Sequence, residues 1–254
     1  MGDALSLRAG RWLSRHWVRR PLRLQGHGPM VSFTFDDAPL SACEAGAEVL
    51  EQLGVRGTYY VAGGLTDRPE LGRPCHSVAA LRQLLASGHQ LGCHGFSHVR
   101  CDTLGAAALR EELDRNAAFL ADLGVDTTQL DFAYPFGAYG WGARDICAQR
   151  FRSMRITGGG AQCGTADRDA LRSHRLYRSA PDGVSYADRL AATVRGHGWL
   201  VVNTHEVESD PGPYGCTPKM LHGAVAAAID AGCQVLPVGA ALDVWLSGGD
   251  SASP

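Results

Sequence analysis

Phe35-Asp36-Asp37 and His94-Gly95-Phe96-Ser97-His98 are the stretches of this sequence best equipped for chemistry. Each follows a short apolar run, so each is expected at the end of a buried strand. If His94 and His98 share one helical turn, their imidazoles fall on the same face. Two neutral imidazoles and one carboxylate form an open divalent-metal site with room for water. Asp37, His94 and His98 are the expected ligands. An ion held by them would make hydroxide available near neutral pH. Asp36, beside a cation, stays ionised and is the expected base. Neighbouring residues of a strand point to opposite faces. Both carboxylates therefore reach one site only if the chain is already turning, as Ala38-Pro39 allows. His205 ends another apolar run that starts at Leu200, and is placed to protonate a leaving amine as general acid.

These residues need a frame. Apolar runs of strand length lie at 30–35, 57–61, 90–93, 131–133, 153–156, 175–178, 199–202 and 234–236. Helix-like segments lie between them at 41–53, 78–86, 104–123, 143–150, 186–197 and 218–231, with a closing helix up to Trp245. Ser41 is the expected N-cap of the first helix, and Gly54 stands just past its end. The alternation predicts the α/β class, with a parallel sheet covered by helices. The number of units predicts a distorted (β/α) barrel of seven or eight parallel strands in a single domain. Chemistry in such barrels gathers at the carboxyl ends of the strands, where Asp36, Asp37, His94, Phe136 and His205 all fall. The expected organisation is a basic N-terminal extension over 1–28, the barrel over 29–248 and a disordered tail over 249–254.

Composition narrows the function. The chain has 254 residues, is 45% apolar and carries a net charge of -2, which gives no electrostatic case for nucleic acid. Its eight cysteines form no CxxC pair and are scattered through strands and helices. That pattern predicts reduced, mostly buried thiols rather than a disulfide framework. No run is long enough to cross a bilayer and no secretory leader pattern is present, so a cytoplasmic location is expected. Leu5, Ala9, Trp12, Leu13 and Trp17 recur at helical spacing with Arg on the other faces. Such a helix either covers one end of the domain or makes peripheral membrane contact.

From about Met30 to Trp245 the chain resembles the polysaccharide deacetylase family, also called the NodB-homology domain or carbohydrate esterase family 4. Thr34-Phe35-Asp36-Asp37 resembles the first family motif, which implies Asp36 as base and Asp37 as metal ligand. His94-Gly95-Phe96-Ser97-His98 resembles the second, the metal-binding histidine pair. Tyr134-Pro135-Phe136-Gly137 resembles the third, a substrate-groove wall whose Phe136 backbone N–H would help hold an oxyanion. Asn203-Thr204-His205 resembles the fifth, with the acid His205. The resemblance implies a metal-dependent hydrolase, zinc being the first candidate ion, that removes N-acetyl or O-acetyl groups from an acetylated carbohydrate. Some positions depart from the family pattern. Ala38 stands where Gly is usual, the Asp-Trp pair of the fourth motif has no clear match, and Glu206 replaces an Asp. The third motif often carries an Arg that orients the base, but Ala133 and Tyr134 occupy that stretch. Arg178, at the end of the expected sixth strand, is the candidate replacement.

Three other readings start from the same residues. Cys93-His94-x3-His98-x2-Cys101 could close a structural zinc site in a non-catalytic module. The same open metal site could hydrolyse small cyclic amides. Loss of the motif Arg would suit a silent carbohydrate-binding relative. A glycosidase is disfavoured, because its two carboxyls must stand about 5 Å or more apart across a sugar. The glycines at 158–160 do not make a phosphate loop, since Thr165 occupies the place of the required Lys.

Overall fold

The computed structural model describes residues 18–179 and 183–248. The helical pattern of Leu5 to Trp17 and the tail at 249–254 lie outside the described residues. Strand β1 (Pro21–Leu24) precedes β2 (Met30–Asp36). A π-helical turn (Ala42–Gly46) and α1 (Ala47–Gln52) lead to β3 (Thr58–Val61). A small ribbon, β4 (Pro69–Glu70) and β5 (Arg73–Pro74), is followed by α2 (Val78–Ala86) and β6 (Gln90–Cys93). Helix α3 (Ala106–Asp122) leads to β7 (Phe132–Ala133), and α4 (Trp141–Ala148) to β8 (Met154–Thr157). β9 (Gly164–Asp167) and β10 (Leu171–Arg175) come next, then α5 (Tyr186–Arg195) and β11 (Trp199–Thr204). The chain ends in α6 (Pro218–Asp230), β12 (Gln234–Val235) and α7 (Val238–Ser247).

The main sheet runs β11-β10-β8-β7-β6-β3-β2, and β11 pairs with β2 to close it. Every pairing in it is parallel, so the sheet is a closed seven-stranded parallel (β/α) barrel. The closing seam pairs Met30 with Trp199 through to Phe35 with Thr204. β12 is an eighth, two-residue strand. It pairs with Met30 and Val31 of β2, below the stretch Thr34–Asp36 that pairs with β3.

The strands follow from their composition. β2 and β11 are buried at every position, as expected of strands covered on both faces. Along β2 the side chains alternate. Val31, Phe33 and Phe35 join the large core shared with the helices. Ser32 and Thr34 face the barrel interior, where Ser32 accepts a hydrogen bond from Trp199 Nε1 (3.0 Å) and Thr34 donates to the Val202 carbonyl (2.8 Å). Met30, Leu171, Trp199 and Val201 fill the amino end of the interior, packed on Leu22, Leu24, Leu242 and Trp245. The interior thus grades from apolar at the amino end to charged at the carboxyl end.

The structure departs from the sequence reading at identifiable places. The sixth barrel strand is Leu171–Arg175, not 175–178. Leu171 and Ser173 are buried while Arg172 is exposed, and this polar alternation hides the strand in the sequence. Pro21–Leu24, expected in the extension, pairs antiparallel with β9 and covers the end of the barrel. The Ser41 hydroxyl does not cap a helix; it accepts from the Val207 N–H (3.3 Å). No helix among the described residues is long and apolar enough to cross a membrane.

Candidate active site

Seven strand ends converge on one mouth. At the end of β2 the chain turns sharply, with φ of +62° at Asp37 and +45° at Ala38. The left-handed turn breaks the alternation of the strand and brings both carboxylates to the mouth. Buried His76 braces it, with Nδ1 donating to the Asp37 carbonyl (3.1 Å) and Nε2 on Thr66 Oγ1 (3.2 Å).

His94 follows β6 directly and is buried. His98 is reached through an irregular loop, with φ of +51°, and not through a helical turn. The two rings nevertheless lie 5.1 Å apart. His94 Nδ1 donates to the Ala133 carbonyl (2.7 Å), and His98 Nδ1 lies 3.2 Å from Glu70 Oε1. A carbonyl and a carboxylate only accept. Both rings therefore carry hydrogen on Nδ1 and turn Nε2 toward Asp37. Asp37 Oδ1 lies 3.6 Å from His94 Nε2 and 3.1 Å from His98 Nε2. That oxygen is buried and has no hydrogen-bond partner.

The electrostatics favour a cation at this point. Burial pulls the His94 imidazole down to about 3 and also lowers His98, so both rings are neutral at physiological pH. Burial pushes the Asp37 carboxyl up to about 7, with Asp36 and Glu70 adding to the rise and His205 opposing it. A carboxylate kept out of water with its charge unanswered, facing two imidazole lone pairs, suits a divalent metal. Among the described residues, the one group with metal-ligating geometry is Asp37, His94 and His98. Cys93 and Cys101 are not in it. The Cys93 thiol accepts from Asn116 (3.1 Å) and both thiols pack in the apolar core, so among the described residues no closed Cys-His-His-Cys arrangement forms.

Asp36 has a different partner. Arg155, on β8, is 1% exposed and hydrogen-bonds Asp36 Oδ1 directly. Its guanidinium also reaches Ser173 Oγ (3.2 Å) and lies 5.2 Å from the centre of the Tyr60 ring. Burial alone would raise the Asp36 carboxyl, but the opposing pull, led by the Arg155 charge beside it, outweighs that and holds Asp36 below its ordinary range. Arg178, the residue expected to support the base, is elsewhere. Its side chain is 59% exposed and ion-paired to Asp210 (2.6 Å). The available signal for Arg155 was a charged residue inside an apolar strand, Met154-Arg155-Ile156, since arginine is seldom fully buried without a partner.

His205 stands across the mouth, with Nε2 3.8 Å from Asp37 Oδ2 and Nδ1 3.3 Å from the Tyr214 carbonyl. Tyr177 and Tyr214 flank its ring at 5.8 and 5.7 Å. Of the 134–136 stretch, Phe136 alone lines the cavity. It has φ of +60°, is 58% exposed and lies 4.6 Å from the His98 ring. Tyr134 is buried, with its hydroxyl on Met154 Sδ (3.1 Å) and its ring on Tyr139, and Pro135 is buried beneath the turn. Gly137 lets that turn close on β8, because a Cβ there would clash with Thr157 Oγ1 and crowd its backbone nitrogen. The cavity holds about 450 Å³, and Glu70, Leu71, Arg175, Tyr177, Ser179 and Tyr214 also line it. Trp141, the next aromatic after this turn, does not line the cavity; it is 43% exposed, with the Arg19 guanidinium 4.9 Å from its ring.

A parallel barrel with this site at its carboxyl end defines a class, and comparison with known proteins agrees. The sequence profile described as polysaccharide deacetylase matches residues 24–151, half of the chain. The chain belongs to the polysaccharide deacetylase family. It is 31% identical over 78 residues to a chitin deacetylase of Colletotrichum lindemuthianum, 31% of this chain and 30% of that protein. It is 24% identical over 98 residues to a bifunctional xylanase/deacetylase of Pseudobutyrivibrio xylanivorans, 38% of this chain and 15% of that protein. The matches therefore span under a third of either curated relative. A solved structure described as a putative polysaccharide deacetylase from Mycobacterium smegmatis shares the fold, with TM-score 0.65, 16% identity, and 92% and 96% of the two chains covered.

Proposed function

We propose that the chain is a metal-dependent deacetylase of an N-acetylated carbohydrate. The observation that carries this reading is the buried, unpartnered Asp37 Oδ1 facing two imidazole nitrogens whose tautomer is fixed from behind. Asp37, His94 and His98 would hold a divalent cation, zinc first among the ions that suit two imidazoles and a carboxylate. Bound there, it would supply Lewis acidity and hydroxide near neutral pH.

The remaining steps belong to the chain itself. Asp36, ionised beside Arg155, takes a proton as water attacks the acetyl carbonyl carbon. The Phe136 backbone N–H, at the rim of the cavity, stabilises the oxyanion that develops. His205 protonates the nitrogen as the C–N bond breaks, giving acetate and a free amine on the sugar. Arg155, rather than Arg178, holds the base in place. Its presence removes the motive for a silent binding protein. The eight free thiols, seven of them buried, support a reducing compartment such as the cytoplasm.

The test is acetate release from a panel of N-acetylated glycans, an O-acetylated glycan and a small cyclic amide, with and without chelator. N-acetylated glycans should release acetate, and Asp36→Asn should abolish it. Full activity after thorough metal removal, or in Asp36→Asn, overturns the reading.

A further inference from the structure

The two histidines of the site are fixed in different ways. His94 is set by main chain: it ends β6, and its Nδ1 meets the Ala133 carbonyl of β7 at 2.7 Å. His98 lies in an irregular loop in a left-handed conformation, so no strand register orients its ring. Its ring neighbours, His94 at 5.1 Å and Phe136 at 4.6 Å, pack on it without selecting which nitrogen faces Asp37. Glu70 makes that selection. Its Oε1 is 3.2 Å from Nδ1 and can only accept, which leaves the Nε2 lone pair aimed at Asp37.

Glu70 is carried by the β4–β5 ribbon, two residue pairs joined by Leu71-Gly72, both with positive φ. So short a ribbon is not stable by itself. Arg73 ties it down, with Nε 2.8 Å from Glu208 Oε1 and 3.5 Å from Glu206 Oε1. Glu206 is buried next to His205 and also accepts from the Gly212 N–H (2.6 Å). The ribbon therefore bridges the loop bearing His205 and the ring of His98.

We infer that Glu70 is a positioning residue for the metal site: it fixes the tautomer and orientation of His98 from a ribbon that Arg73 anchors beside His205. This rests on the proposed reading of Asp37, His94 and His98 as ligands. Hydrogen bonds behind a ligating histidine typically govern affinity by about 10–100-fold.

The experiment titrates metal-free protein with zinc against a competing chelating indicator, alongside thermal unfolding of the same metal-free samples. Wild type should bind one zinc and His94→Ala should lose it. Glu70→Ala should bind about 10–100-fold more weakly, with the unfolding temperature of the metal-free protein unchanged. Glu70→Gln, whose amide oxygen still accepts from Nδ1, should fall between the two. Zinc affinity in Glu70→Ala within about twofold of wild type overturns the inference, as does an equal loss in both variants. If Glu70→Ala does not fold, the near-isosteric Glu70→Gln carries the test, and wild-type affinity there overturns it. A wild-type protein that binds no zinc defeats the metal reading itself, and this inference with it.

Discussion

Arg155→Met gives the most demanding test of the site. The substitution keeps much of the side-chain volume but deletes the charge paired with Asp36. Both partners are almost fully buried, at 1% and 4% side-chain exposure, so solvent cannot replace the lost interaction. Removing one member of such a pair costs about 3–5 kcal/mol, because the other charge is left buried. For a domain of this size each kcal/mol lowers Tm by about 2–4 °C, so the expected fall is roughly 6–20 °C. The loss should depend on pH with a definite sign. In the native protein Asp36 titrates below its unfolded value, so its stabilising contribution is present above about pH 3.9 and lost as pH falls further. Without Arg155 the burial effect dominates and Asp36 titrates above its unfolded value. The variant is then worst at neutral pH and recovers relative to wild type in mild acid, as Asp36 takes up a proton. Urea unfolding of both proteins at about pH 7.5 and about pH 5 measures this directly. Asp36→Asn combined with Arg155→Met should restore about 2 kcal/mol or more over Arg155→Met alone. A loss below about 1 kcal/mol, or one equal at both pH values, would refute Arg155 as the counter-charge of Asp36.

Further outcomes are expected at Asp37, His205 and Ala38. Asp37→Asn should abolish zinc binding yet raise the Tm of metal-free protein at about pH 8, because native Asp37 titrates at about 7 and costs stability once ionised without a cation. For the same reason wild-type zinc affinity should fall about tenfold per pH unit below 7 and level off above it, read by competition titration. His205→Gln should lower kcat by about 10²–10⁴ with zinc affinity unchanged, and an equal loss of zinc would remove the general-acid assignment. Ala38→Val should destabilise by about 3 kcal/mol or more, since a β-branched residue meets both the left-handed backbone and a fully buried site. Ala38→Gly should be near neutral, relief of strain offsetting a lost buried methyl, as chemical denaturation would show.

The barrel and the polar centre were legible because each leaves a local signal. Val78–Ala86 and Gln90–Cys93 are bounded by Ser77 and by glycines, and the observed elements match the expected ones there. The Asp pair and the two histidines stand out as polar residues ending apolar runs. What stayed hidden depends on distance in sequence. Nothing around Glu70 marks it as a neighbour of His98, because a tertiary ribbon brings them together across 28 positions. Arg155 is 119 residues from Asp36, and the motif logic pointed to Arg178, whose partner proves to be an exposed aspartate. The meeting of His94 and His98 was expected for the wrong geometric reason, since an irregular loop does what a helical turn was expected to do. β9 and β10 lacked the continuous apolar run that identifies β2 and β11.

The apolar packing of Met30, Leu171, Trp199, Val201 and Trp245 has a consequence for traffic through the molecule. Among the described residues, the cavity opens at the opposite pole, bordered by Leu71, Phe136 and Tyr214, each of them well exposed. On the proposed function, a glycan strand would not thread from one pole to the other past this packing. It would lie over the opening and lower one pendant group toward Asp36, so that what is read is a decoration along the strand while both its ends stay outside.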